Sequence, residues 1–436
     1  LTRKKIRRTQ VMTTVIKNGT VYQNGHLIKA DVLIDGQKIK AIGTDLEGEE
    51  TIDASGMIVS PGLVDVHVHY RDPGQTYKED IKTGSQAAAR GGFTTVGAMP
   101  NVTPVPNTAE LMEKMVRENQ KKGLVHILQY GPVTKDETTD IIPDYAELKK
   151  AGAFALSNDG HGVQSAQTMY LAMQKAKENN LIIAVHAQDD SLFNKGIVNE
   201  GVAAEKLDLP PVTELAETTQ IARDLLLAQK TRVHYHICHV STKTSVELVR
   251  LAKARGIKVT CEVAPHHILL TDSDIPEDNA YFKMNPPLRS KEDQAALLVG
   301  LLDGTIDLIA TDHAPHAKAE KQGGMREAAF GITGSETAFS TLYTRFVKEE
   351  KVFTLEQLLS LLTDKPAAVF GIENAGLLAP GENADIAIFD IEHQKEIKEE
   401  DFKSKGVNTP FTGHKVYGET VMTFVDGKVV YQRGTK

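Results

Sequence analysis

The chain has 436 residues, 41% of them apolar and 25% charged, and a net charge of −8, which excludes wholesale disorder, collagen and coiled coil and argues against a general nucleic-acid binder. A single core stops growing beyond roughly 250–300 residues, so one large domain and a smaller one are expected. No apolar run approaches the roughly 20 residues that a bilayer needs, and two cysteines, Cys238 and Cys261, exclude a disulfide framework and read as a cytoplasmic chain.

Residues 1–11 carry five basic side chains and no acid; removing those charges from −8 leaves −13 for the rest. This stretch lacks the apolar segment of a signal peptide and is expected to be a disordered basic extension, with the natural start near Met12. From Val15 to Ile58, short alternating runs are separated by Asn18-Gly19, Asn24-Gly25 and Asp35-Gly36, a pattern of hairpins. The same texture returns at Asp385–Phe389 and Thr420–Tyr431, around Asp426-Gly427. Residues 12–61 and 372–436 are therefore expected to form one composite β-sandwich domain, enclosing a catalytic domain at residues 62–371.

The middle alternates apolar β runs with helical periodicity. Predicted strands are Gly62–Val68, Thr94–Met99, Val125–Gly131, Ala153–Ser157, Ile182–His186, Val233–His239, Lys258–Val263 and Asp307–Thr311. Amphipathic stretches follow most of them, among them Ala109–Lys121, Ala166–Asn179, Ala216–Ala228, Thr244–Arg255 and Lys291–Leu302, with Gly123, Gly152 and Gly256 as stops. Eight strand–helix repeats predict an α/β chain with a (β/α)8 barrel, whose site lies at the C-terminal strand ends. An open doubly wound sheet is the alternative, but no G-x-G-x-x-G turn follows the first strand.

Fifteen histidines against two cysteines and no tryptophan become meaningful at those strand ends. The first strand ends in His67-Val68-His69, and alternation along a strand puts both imidazoles on one face. Asp159, His186, His239 and Asp312 fall at four further strand ends. Singly, each is more often a cap or a core group; their coincidence at one rim points to a metal. Carboxylates mixed with imidazoles suit Zn, Mn or Co rather than Ca or Mg, with zinc the default. His234 and His236 read as barrel-interior residues, and His266-His267 as packing or orienting groups.

The run Gly62-Leu63-Val64-Asp65-Val66-His67-Val68-His69-Tyr70-Arg71, followed by Asp72-Pro73-Gly74, resembles the signature of cyclic amidohydrolases, more narrowly of bacterial class I dihydroorotases. Asn285-Pro286-Pro287-Leu288-Arg289, Ala310 to His316 and Gly334-Ser335-Glu336-Thr337 are similar to further motifs of that family. The resemblance runs from about Val15 to Tyr431. It implies one or two zinc ions per subunit, with His67, His69 and Asp312 on the first, His186 and His239 on the second and Asp159 bridging. It implies Asp312 as the catalytic general acid and base, and His69, Arg71, Asn101, Asn285, His316, Phe330 and Gly331 as substrate contacts. It also implies reversible cyclisation of N-carbamoyl-L-aspartate to L-dihydroorotate in pyrimidine synthesis, a homodimer, and association with aspartate transcarbamoylase as in some members.

Hydantoinases and dihydropyrimidinases bridge their metals with a carboxylated lysine, but no lysine occurs between Lys150 and Lys175, so Asp159 must serve. Another cyclic amidohydrolase activity (hydantoinase, dihydropyrimidinase or allantoinase) and a non-catalytic partner of the transcarbamoylase are the alternatives. Val102, Ala329 and His161 depart from the family pattern without removing a ligand. Residues 317–329, polar with Gly323-Gly324 as a hinge, are expected to form a flexible loop that closes over substrate.

Overall fold

The computed structural model describes residues 12–434, so the expected basic extension at 1–11 lies outside the described residues. Eight parallel strands, Leu63–Val68, Phe93–Ala98, His126–Pro132, Ala153–Ser157, Ile183–Val185, Tyr235–Ile237, Val259–Val263 and Leu308–Ile309, pair in chain order. A parallel bridge between Val68 and His313 joins the last to the first and closes the barrel. Each coincides with a predicted strand to within about two residues at either end. The signal is strong because barrel strands are covered on both faces and read as unbroken apolar runs; every residue of Leu63–Val68 is buried.

The outer helices begin where the sequence places a hydroxyl cap. Thr108, Ser165, Thr242 and Ser290 each accept from a backbone N–H of the first turn, opening Ala109–Lys122, Ala166–Glu178, Lys243–Ala254 and Lys291–Asp303. Gly256 follows its helix in left-handed backbone (φ 73°), whereas Gly123 ends Ala109–Lys122 in extended backbone (φ −70°). Among the described residues no helix is long and apolar enough to cross a membrane.

The two ends of the chain build a single eight-stranded sheet. Thr13–Gln23, His26–Asp35, Lys38–Gly43, Glu50–Asp53 and Ile58–Pro61 come from one end, Ile386–Asp390, Glu419–Val425 and Lys428–Gln432 from the other. The ends meet where Ile58–Pro61 pairs antiparallel with Ile386–Asp390. Ile16, Val32, Ile34, Val59, Ile386, Ile388 and Phe424 share one core, so neither end buries its apolar face without the other. Asn24-Gly25 and Asp426-Gly427 are hairpin turns with both residues at positive φ. Asn18-Gly19 is instead a bulge inside one long strand: the register shifts between Ile16 and Gly19, and a Cβ on Gly19 would lie 2.6 Å from Val59 Cγ2. Close packing, not a chain reversal, demands that glycine.

Candidate metal centre

The first barrel strand delivers His67 and His69, and each ring is aimed by its outer nitrogen. His67 Nδ1 lies 2.6 Å from Glu262 Oε1; a carboxylate only accepts, so Nδ1–H donates and the Nε2 lone pair faces inward. That Nε2 is 3.3 Å from Asp159 Oδ1 and 3.5 Å from Asp312 Oδ1. His69 Nδ1 is 3.0 Å from Asn101 Oδ1, and its Nε2 is 3.3 Å from Asp159 Oδ2 and 3.1 Å from Asp312 Oδ1. Asp159 thus presents one oxygen to His67 and to His239 Nε2 (3.5 Å), and the other to His69. His186 completes the group, its Nδ1 3.0 Å from His239 Nε2.

Backbone strain turns these side chains into the barrel mouth. Arg71, His239 and Asp312 have φ of 56°, 32° and 49°, a left-handed conformation that costs a non-glycine residue about 1–3 kcal/mol and persists only where neighbours enforce it. Asp65 is one such neighbour, accepting from Thr311 N (3.0 Å) and Thr311 Oγ1 (2.5 Å), the residue before Asp312.

The donor set fits a cation. His67, Asp159 and His239 bring ligand atoms within 4.8 Å of one another, as do His67, His69 and Asp312. His67 Nε2 and Asp159 Oδ1 are buried without hydrogen-bond partners, an arrangement that is costly unless a positive charge satisfies it. Burial alone would raise Asp159 and Asp312, but the surrounding imidazoles outweigh it and hold both carboxyls below the ordinary range. Burial, then His239, pushes His186 down to about 4, leaving it neutral and able to ligate. Cys238 packs behind His67, and burial pushes its thiol up, away from thiolate.

A cavity of about 200 Å³ opens above this cluster. Every expected substrate contact lines it: His69, Arg71, Asn101, Asn285, His316, Phe330 and Gly331, beside Asp159, His186 and Asp312. Arg71 is buried, its Nε lacks a hydrogen-bond partner, and among the described residues no carboxylate forms an ion pair with it. An unpaired guanidinium in a cavity wall is a receptor for an anion. Asn101 and Asn285 are also engaged with the cluster: Asn101 accepts from His69, and Asn285 Nδ2 donates to Gln188 Oε1 (2.7 Å) and lies 3.1 Å from His186 Nε2. His316 Nε2 donates to the Phe330 carbonyl (2.7 Å).

Residues 317–329 are more ordered than their composition suggests. They form two short turns, Lys318–Lys321 and Gly324–Glu327, with Met325 and Lys321 buried. Gly323 and Gly324 both sit at positive φ, 82° and 79°.

Sequence reasoning missed Glu262, Asp65, Lys321 and Asn408. Glu262 had a legible signal, a lone carboxylate within the apolar strand Val259–Val263. It bridges His67 to His236, whose Nε2 lies 3.1 Å from Glu262 Oε2 and whose Nδ1 lies 2.8 Å from Thr260 Oγ1. His67 and His236 hold Glu262 down to about 2 against the effect of burial. Glu262→Gln is expected to weaken metal affinity about 10–100-fold, since the anion that aims His67 is lost. Zinc titration of metal-stripped protein checks this, and unchanged affinity would exclude the orienting role.

A closed barrel with an imidazole and carboxylate cluster at its mouth is the architecture of the amidohydrolase class. The amidohydrolase family matches residues 301–431, and the dihydro-orotase-like family matches residues 56–245. The dihydroorotase of Lactobacillus johnsonii is 97% identical over 425 residues, covering 98% of this chain and 100% of that protein. The dihydroorotase of Lactobacillus gasseri is 89% identical with the same coverage. Among solved structures, an L-hydantoinase (dihydropyrimidinase) from Arthrobacter aurescens matches with a TM-score of 0.87 at 28% identity, over 97% of this chain and 96% of that one. The chain belongs to the dihydroorotase family.

Proposed function

We propose that the cavity above the cluster carries out the reversible cyclisation of N-carbamoyl-L-aspartate to L-dihydroorotate and water, a step of pyrimidine biosynthesis. The observation that carries this reading is Arg71, a buried guanidinium that forms no ion pair among the described residues, in the same cavity as Asp312. The chain is a hydrolase of a cyclic amide, and it is metal-dependent. Zinc, one or two ions per subunit, would be held by His67, His69, Asp159, His186, His239 and Asp312, with Asp159 placed between the two histidine pairs to serve both. Bound there, zinc supplies an activated water and polarises the scissile carbonyl.

The chain's own residues do the rest. Arg71 clasps the substrate carboxylate bidentately, with Asn101 and Asn285 as amide partners. His316, Phe330 and Gly331 wall the ring. In the hydrolytic direction Asp312 takes a proton from the attacking water and delivers it to the departing ring nitrogen. In the biosynthetic direction the same carboxylate accepts the proton of the ureido nitrogen and returns it to the leaving oxygen.

We assign residues 62–371 to the catalytic unit and residues 12–61 with 372–436 to the composite β domain. The protein works in the cytoplasm as a homodimer and can associate with aspartate transcarbamoylase. A hydantoinase reading draws on the solved relatives but is opposed by Arg71 and by the absence of lysine between Lys150 and Lys175. Metal-replete protein is expected to open dihydroorotate at least about 100-fold more efficiently than hydantoin or allantoin, neither of which offers Arg71 a carboxylate. No turnover of dihydroorotate would sink the proposal.

A further inference from the structure

The Gly331 carbonyl, at the edge of the substrate cavity, accepts from two buried side chains that belong to neither the cluster nor the cavity wall. Lys321 Nζ donates to it at 2.9 Å and Asn408 Nδ2 at 3.0 Å. Lys321 is 6% exposed and Asn408 1%. The remaining donors of the ammonium go to the carbonyls of Ala329 (2.8 Å) and Lys283 (3.2 Å). Among the described residues no carboxylate forms an ion pair with Lys321. Asn408 Nδ2 also donates to the Ala314 carbonyl (3.2 Å), its Oδ1 accepts from His316 N (3.0 Å), and its own carbonyl accepts from Thr333 N (3.0 Å).

Burying an ammonium without a counter-ion is expensive, and an apolar side chain of similar volume would serve stability at least as well. Three carbonyls on one ammonium instead fix the path of the backbone that presents them. The segment is tightly seated as well: Gly331 has φ 125°, and a Cβ there would lie 2.7 Å from Ala314 Cβ. His316 and Phe330 are tied to each other through the ring and carbonyl described above.

We propose that Lys321 and Asn408 are positioning residues, which together clamp the Gly331 carbonyl and thereby hold His316, Phe330 and Gly331 in register with bound dihydroorotate. This rests on the reading of the cavity as the dihydroorotate site. Asn408 reaches the cavity edge from the segment between two strands of the terminal sheet, so the C-terminal part of the chain completes the substrate wall. Displacing such a wall by about 1 Å is enough to cost on the order of 100-fold in efficiency.

Lys321→Met keeps the stem and removes the three donors. Asn408→Asp keeps the acceptor for His316 N and sets a carboxylate against two carbonyls. In metal-loaded protein each substitution is expected to raise KM for dihydroorotate about 10-fold or more, with kcat within about 3-fold of wild type and zinc content unchanged. The double variant should show less than the product of the two single effects, because both donors serve one carbonyl. Unchanged KM in Lys321→Met would overturn the clamp, as would a loss of zinc and kcat with KM preserved; that variant decides the matter should Asn408→Asp fail to fold. Wild-type turnover of dihydroorotate, measured alongside, keeps this test separate from that of the reaction itself.

Discussion

Replacing Asp312 with asparagine is expected to lower kcat for dihydroorotate about 10³-fold, within the 10²–10⁴ that a positioned general acid and base contributes. The amide keeps an oxygen where Asp312 Oδ1 now lies, 3.1 Å from His69 Nε2 and 3.5 Å from His67 Nε2, so metal content should hold. What the amide lacks is a basic oxygen to take and return a proton. The imidazoles around Asp312 keep its carboxyl ionised, so the wild-type group is ready to accept at neutral pH. Single-turnover rates and elemental analysis of the same sample separate chemistry from metal loss. Near-normal kcat would exclude the proton-transfer role.

Arg71→Met should lower kcat/KM for dihydroorotate about 10²–10³-fold. Removing one partner of a buried, hydrogen-bonded charge pair costs about 2–5 kcal/mol, and each 1.4 kcal/mol is about tenfold. The discriminating control is dihydrouracil, which has the same ring without the carboxylate. Its slow hydrolysis should be nearly unaffected, so the ratio of the two activities should collapse toward one. Methionine matches the length of the arginine stem and leaves no buried charge behind, which keeps the cavity wall intact. Equal losses on both substrates would mean that Arg71 supports the site in some way other than binding the carboxylate.

The cluster was readable in sequence because each of its members sits at a strand end, and strand ends are set by local periodicity. His67 and His69 share a face by alternation alone, and Asp159, His186, His239 and Asp312 each follow an apolar run. The glycine at position 19 was misread for a complementary reason. An Asn-Gly pair between apolar residues has the local pattern of a hairpin turn, and only the approach of Val59 distinguishes a bulge from a reversal. The turns at 317–329 were not legible in composition, since Lys321 is held by the carbonyls of Lys283, Ala329 and Gly331 and Met325 is buried in a cluster with Ile197, Met284 and Leu288.

Alternation and apolar run length, both properties of neighbouring residues, were enough to determine the eight barrel strands, five of the helices between them and the residue types gathered at the rim, but not the helix Ile81–Gly91 after the first strand. The tertiary structure decided which nitrogen of each histidine faces inward, because Glu262 lies 195 residues from His67 and Asn101 lies 32 from His69. It also decided that Asn408, 77 residues from Gly331, reaches the cavity edge. Hydrogen bonds across such separations leave no periodic trace in the chain, since they form only once the barrel has closed and the terminal sheet has docked against it.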